Sequence, residues 1–169
     1  LRDRSLLGVE ALVRWQHPAL GLISPGHFIA LAEEMGVIGE IGAWVLREAC
    51  RQMRTWRDAG FHVPQVAVNL SVQQLERESL VERVQDALGD YDLPPQCLEL
   101  EVTESLIMRA PEKTLSVLQQ LKEMGVKLAV DDFGTGYSSL SYLKRLPLDR
   151  LKIDRSFIQD VGRDPNGEA

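Results

Sequence analysis

The feature that most constrains this chain is a repeated switch in hydrophobic period. Short β-rich runs at Leu6 to Trp15, Val66 to Leu70, Cys97 to Val102, Lys127 to Val130 and Leu151 to Ile153 read as strands. Between them lie stretches with helical spacing. Ser24-Pro25 opens one that runs through Phe28, Ile29, Leu31 and Ala32 to about Gly36. Ile38, Ile41, Val45, Ala49, Met53 and Trp56 mark a longer one, ended by Gly60. Leu80, Val81, Val84 and Leu88 mark a third, and Pro111 to Gly125 a fourth. Ser138 to Arg145 reads as a fifth, halted by Pro147. Strands that alternate with helices imply a parallel sheet built from crossover units. A doubly wound open sheet and a (β/α)8 barrel both satisfy this order. The glycine fingerprint of a dinucleotide fold is absent after the first strand.

Each strand candidate ends in a residue that can hold a cation or move a proton: Glu10, Asn69, Glu101, the pair Asp131-Asp132, and Lys152. Their intervals are 59, 32, 30 and 21 residues, the later ones suiting one strand-plus-helix unit each. A barrel gathers the C-terminal ends of its strands at one mouth, which lets such distant residues converge. Taken alone, any one acid reads first as a solvated surface charge. Glu10 among Leu7, Val9, Leu12 and Val13, and Glu101 between Leu100 and Val102, are less easily dismissed, because burying a lone carboxylate is costly. Several carboxylates at one mouth need a cation or raised pKa values. Oxygen donors with one amide suit Mg²⁺ or Mn²⁺ rather than Zn²⁺. His17, His27 and His62 are wrongly spaced for zinc. Asp131 to Ser139 carries two glycines and three small hydroxyl residues, a loop able to approach a ligand closely. It lacks the Gly-Lys-Ser/Thr ending of a Walker phosphate loop.

Composition narrows the function classes. The chain has 169 residues, 44% hydrophobic and 26% charged, so one globular domain is expected. A net charge of -6 argues against a broad contact with polymeric nucleic acid, which needs basic stripes. Cys50 and Cys97 match no metal or redox spacing and read as buried free thiols of a reducing, cytoplasmic compartment.

Glu10-Ala11-Leu12-Val13-Arg14-Trp15 resembles the signature of the EAL domain family. The resemblance continues through Asn69-Leu70-Ser71, Glu101-Val102-Thr103-Glu104, Asp131 to Gly136 and Leu151-Lys152-Ile153-Asp154, in the family's order. It implies a modified TIM barrel with an antiparallel first strand, and hydrolysis of cyclic di-GMP to pGpG in bacterial signalling. Glu10, Asn69, Glu101 and Asp131 would hold one Mg²⁺ or Mn²⁺, with Asp131 and Asp132 facing a second. Lys152 would lie beside the attacking water, and Arg14 would contact a substrate phosphate. Glu104 would anchor the loop from Asp132 to Ser139, coupling the site to a homodimer. A sensor or GGDEF domain upstream is part of the same expectation. Against the family pattern, the chain shows no Tyr-Gln-Pro-like first strand and no late Glu-Gly-Val-Glu segment, which would supply a glutamate to the second metal. The barrel is therefore expected to be incomplete in this chain, with open sheet edges, self-association and no activity of the 169 residues alone. The alternative class is a receptor that binds cyclic di-GMP without cleaving it, or a dimerising signalling module.

Overall fold

A computed structural model describes residues 5–76, 79–134 and 143–154. Five strands form one parallel sheet in the order β1 (Val9–Ala11), β4 (Val66–Asn69), β5 (Leu98–Thr103), β6 (Lys127–Phe133) and β7 (Arg150–Ile153). A hairpin of β2 (Trp15–His17) and β3 (Gly21–Ile23) stands apart from it. The crossover helices are α1 (Ile29–Glu34) and α2 (Ile38–Asp58), α3 (Val72–Glu76) and α4 (Leu80–Asp90), and α5 (Glu104–Arg109) and α6 (Pro111–Met124).

Val66, Val68, Leu98, Leu100, Val102, Leu128 and Val130 lie in one core with Leu46, Cys50 and Met53 of α2, Val84 and Leu88 of α4, and Leu118 and Leu121 of α6. The alternate residues Ala67, Asn69, Glu99, Glu101, Ala129 and Asp131 line the opposite face. That second face is polar, as the concave face of a barrel sheet is when it carries a site. Gly125 ends α6 in the left-handed region at φ 99°, and its N–H donates to Leu121 and Lys122 carbonyls. Arg47 pairs with Asp90 and Arg54 with Asp92, tying α2 to the end of α4, while Arg54 also pairs with Asp58 within α2.

Some expectations are corrected. Leu6 to Trp15 is not one strand: only Val9–Ala11 joins the sheet, and Trp15 begins the hairpin. Its turn depends on Gly21 at φ 73° and on His17, whose Nδ1 accepts from the Ala19 and Leu20 N–H groups at 3.1 and 3.2 Å. A three-residue loop of this kind has no hydrophobic period to announce it. Ser24-Pro25 opens a 3₁₀ turn at Pro25–His27 before α1 begins. The helices α3 and α5 are one to two turns long, too short for the repeat that revealed the others. The helix expected over Ser138 to Arg145 falls mostly outside the described residues. Cys50 and Cys97 are free and buried, and burial together with the nearby Cys97 pushes the Cys50 thiol up to about 12. No helix among the described residues is long and apolar enough to cross a membrane.

Candidate metal centre and active site

The five strand-end residues come from segments up to 142 positions apart, yet the parallel sheet brings them to its C-terminal edge. Ligand oxygens of Glu10, Glu101 and Asp131 all lie within 4.8 Å of one another. Lys152 reaches into this group, its Nζ 2.7 Å from Glu101 Oε2, 3.2 Å from Asp131 Oδ2 and 3.9 Å from Glu10 Oε2. The Asn69 amide nitrogen donates to Glu10 Oε1 at 2.9 Å. An amide-oxygen ligand at Asn69 would therefore require the other amide orientation.

Electrostatics distinguish these groups. Glu101 is only 1% exposed. Burial raises its pKa, opposed by the hydrogen bond and charge of Lys152 and reinforced by Glu10 and Asp131. Burial alone would lower the Lys152 pKa, but its bonds to Glu101 and Asp131 hold it above the usual lysine value. Three carboxylates against one ammonium leave an excess of two negative charges. An all-oxygen, anionic donor set of that kind fits a divalent Mg²⁺ or Mn²⁺ and not a thiophilic metal.

Asp132 stands outside the triad. Its backbone is left-handed, φ 53°, and its N–H donates to Asp131 Oδ1 at 3.0 Å. Burial and then the charges of Asp131 and Asp154 raise its pKa. A bulge lies here: Val130 pairs with Leu151 and Phe133 with Ile153, so two aspartates oppose the single residue Lys152. Glu104, 2% exposed, accepts from the Gly134 N–H at 2.9 Å through Oε2. It meets the beginning of the loop assigned to it from sequence; residues 135–142 lie outside the described ones. Thr103 caps α5 by accepting from Leu106 N–H at 3.4 Å, which places Glu104 at the first helical turn. Arg14 donates to the Val13 carbonyl, lines an apolar groove with Trp15, Phe28, Met35 and Trp44, and shares a neighbouring groove with Glu10. Beside Asn69 a cavity of about 320 Å³ opens between β1, α1 and α2, lined by Leu12, Ile29, Glu33, Ser71 and others. The sequence reading passed over Glu99 and Arg150, which form a second ion pair on the same face. The signal was present in the two-residue spacing shared by Glu99-Glu101 and Arg150-Lys152.

The EAL domain family matches residues 1–169, and the chain belongs to that family. It is 54% identical over 164 residues to MucR of Pseudomonas aeruginosa, a bifunctional diguanylate cyclase and cyclic di-GMP phosphodiesterase, covering 97% of this chain and 24% of MucR. It is 52% identical to the cyclic di-GMP phosphodiesterase NbdA of the same organism, over 95% of this chain and 21% of NbdA. The solved structure of the PaMucR phosphodiesterase in complex with c-di-GMP superposes with a TM-score of 0.90 at 54% identity, covering 96% of this chain and 66% of that one. The chain thus spans about a fifth to a quarter of the length of these curated relatives. With these solved domains as its fold, the sheet is part of a TIM-like barrel and not an open doubly wound sheet.

Proposed function

We propose that this chain is the catalytic core of a phosphodiesterase that linearises cyclic di-GMP to pGpG. The observation that carries the reading is the convergence of Glu10, Glu101 and Asp131 around the Lys152 ammonium at the mouth of the sheet. Identity of 54% to a phosphodiesterase solved with cyclic di-GMP supports that dinucleotide as the substrate. Glu10, Asn69, Glu101 and Asp131 would hold one Mg²⁺ or Mn²⁺, with Asp132 turned toward a second. Bound there, such cations polarise the phosphodiester and lower the pKa of a coordinated water.

The chain's own residues supply the rest. Lys152 presents a fixed positive charge where negative charge develops and orients the attacking water through the N–H not given to Glu101 or Asp131. Glu104 fixes the Gly134 backbone and through it the direction of Asp132. Arg14 can grip a phosphate oxygen pair with its guanidinium fork once its side chain swings from the Val13 carbonyl. The cavity beside Asn69 has the apolar walls and few polar groups that suit one guanine base. On the same reading, the chain works within a longer cytoplasmic signalling protein that dimerises through this domain.

The test is pGpG formation from cyclic di-GMP by the full-length natural protein across a Mn²⁺ titration. Lys152→Met is expected to cut kcat about 10²- to 10³-fold with little change in KM, since it acts on the developing charge. Absence of hydrolysis by the wild-type protein at any Mn²⁺ concentration, with cyclic di-GMP still bound, would favour the receptor reading instead.

A further inference from the structure

Beneath the carboxylate cluster lies a second buried charge. The Glu99 side chain is 2% exposed and its Oε1 accepts from Arg150 Nη1 at 2.9 Å. A carboxylate so buried would be costly without that partner. The pair repeats the one above it: Arg150 reaches Glu99 as Lys152 reaches Glu101, each cation on β7 crossing β6 to a carboxylate on β5. Both crossings are diagonal. Register places Arg150 level with Ala129, and Ala129 level with Glu101, so Arg150 leans one pleat back to reach Glu99. Ala129 is fully buried between the two strands and its methyl leaves room for both side chains to pass.

The β6–β7 ladder explains why such a pair matters. Arg150 and Leu151 are in register with Ala129 and Val130, but the bulge at Asp131-Asp132 leaves Lys152 without a ladder partner until Ile153 rejoins Phe133. Among the described residues β7 pairs with β6 alone. Backbone pairing therefore loosens at the level of the lysine that the chemistry needs. We propose that Glu99 and Arg150 are positioning residues for Lys152: their ion pair sets the height of β7 against β5 across Ala129, so that the bulge can aim the Lys152 ammonium at Glu101 and Asp131. The pair also neutralises another carboxylate buried on the same face, leaving Glu101 and Asp131 as the acceptors for Lys152. This inference rests on the reading of the upper cluster as a phosphodiesterase site.

The experiment uses the full-length natural protein, assayed at least 20 °C below the melting temperature of every variant, so that lost stability does not register as lost rate. Glu99→Gln leaves a half-exposed Arg150 that water can solvate, and so should fold. It is expected to lower kcat about 10- to 100-fold with KM within about threefold, because small misplacements of a catalytic group are expensive. Arg150→Lys keeps the charge and should recover most of kcat, and the Glu99→Gln/Arg150→Gln double variant, with an amide pair in place of the ions, should lose less than the two single changes combined. Ala129→Val should reproduce the kcat loss by blocking the crossing. A crystal structure of the Glu99→Gln variant should show Lys152 Nζ drawn away from Glu101 beyond hydrogen-bond distance. Wild-type kcat in Glu99→Gln alongside a lowered melting temperature would reduce the pair to a structural brace and overturn the proposal. Should the wild-type protein hydrolyse nothing, the function reading fails, and an unchanged Lys152–Glu101 bond in the variant structure would separately overturn the positioning role.

Discussion

The two ends of β6 use the same residue type for opposite purposes. At its start, Asp149 accepts from Lys122 Nζ at 2.5 Å, Lys127 Nζ at 3.5 Å and the Leu128 N–H at 2.9 Å. Burial works against the charge, but Lys122 and the Leu128 N–H outweigh it and hold this carboxyl below the usual range. At the other end Asp131 crowds against Glu10 and Glu101, and burial, then the charges of Asp131 and Asp154, push the Asp132 carboxyl up. One end has its acid matched to cations and a backbone donor; the other has more acids than cations and a left-handed residue in the strand. Surplus negative charge at the C-terminal edge suits a cation, and strained backbone of this kind clusters at functional sites.

The largest expected break of this contrast comes from Asp131→Asn. It should reduce cyclic di-GMP hydrolysis by at least about 10²-fold. Because it also relieves like-charge crowding, the melting temperature should stay level or rise. A parallel measurement of kcat at saturating Mn²⁺ and of thermal unfolding checks both halves; a destabilised but active variant would contradict the division between the two ends.

Glu104→Ala tests whether the site end depends on support from outside the ligands. Removing the acceptor for the Gly134 N–H should cost about 10- to 100-fold in kcat, the scale expected of an outer-shell partner, while weakening Mn²⁺ binding less than Asp131→Asn does. Steady-state kinetics together with Mn²⁺ binding by electron paramagnetic resonance separates the two effects. A variant with normal kcat would free Asp132 from any need of this anchor.

Asp149→Asn should act only on stability, costing about 1.5 to 3 kcal/mol through the charged hydrogen bonds it loses. The sign of its pH dependence follows from its depressed pKa. The contribution is fully present above the ordinary aspartate value of about 4 and disappears as pH falls through the lower folded value. Denaturant melts at pH 7 and near pH 3 should therefore show the gap between wild type and variant narrowing in acid. A gap that stayed constant would mean that Asp149 is held by geometry rather than by its charge.

Much of this arrangement was legible in the linear chain. Period-2 runs bounded by helical repeats located β4 to β6, α2, α4 and α6, because each of these buries a continuous apolar face and must carry it in sequence; β7, whose Leu151 and Ile153 are exposed, was visible only as a very short β-rich run after Pro147. The strand-end positions of Glu10, Asn69, Glu101, Asp131 and Lys152 were equally visible, since parallel strands must all finish at one edge. What the chain could not show locally is anything set by register between strands. The hairpin from Trp15 to Ile23 rests on a left-handed Gly21 and a histidine that caps its own turn, neither of which leaves a period. The bulge that sets Asp131 and Asp132 against Lys152, and the diagonal from Arg150 to Glu99, exist only because β5, β6 and β7 lie side by side in one particular alignment. A one-residue slip would turn each of these side chains to the other face of the sheet. The residues were thus chosen by sequence, but their partners were decided by the tertiary structure: helices packed against the far face hold β5 and β6 in alignment, and β7 takes its place by pairing with β6.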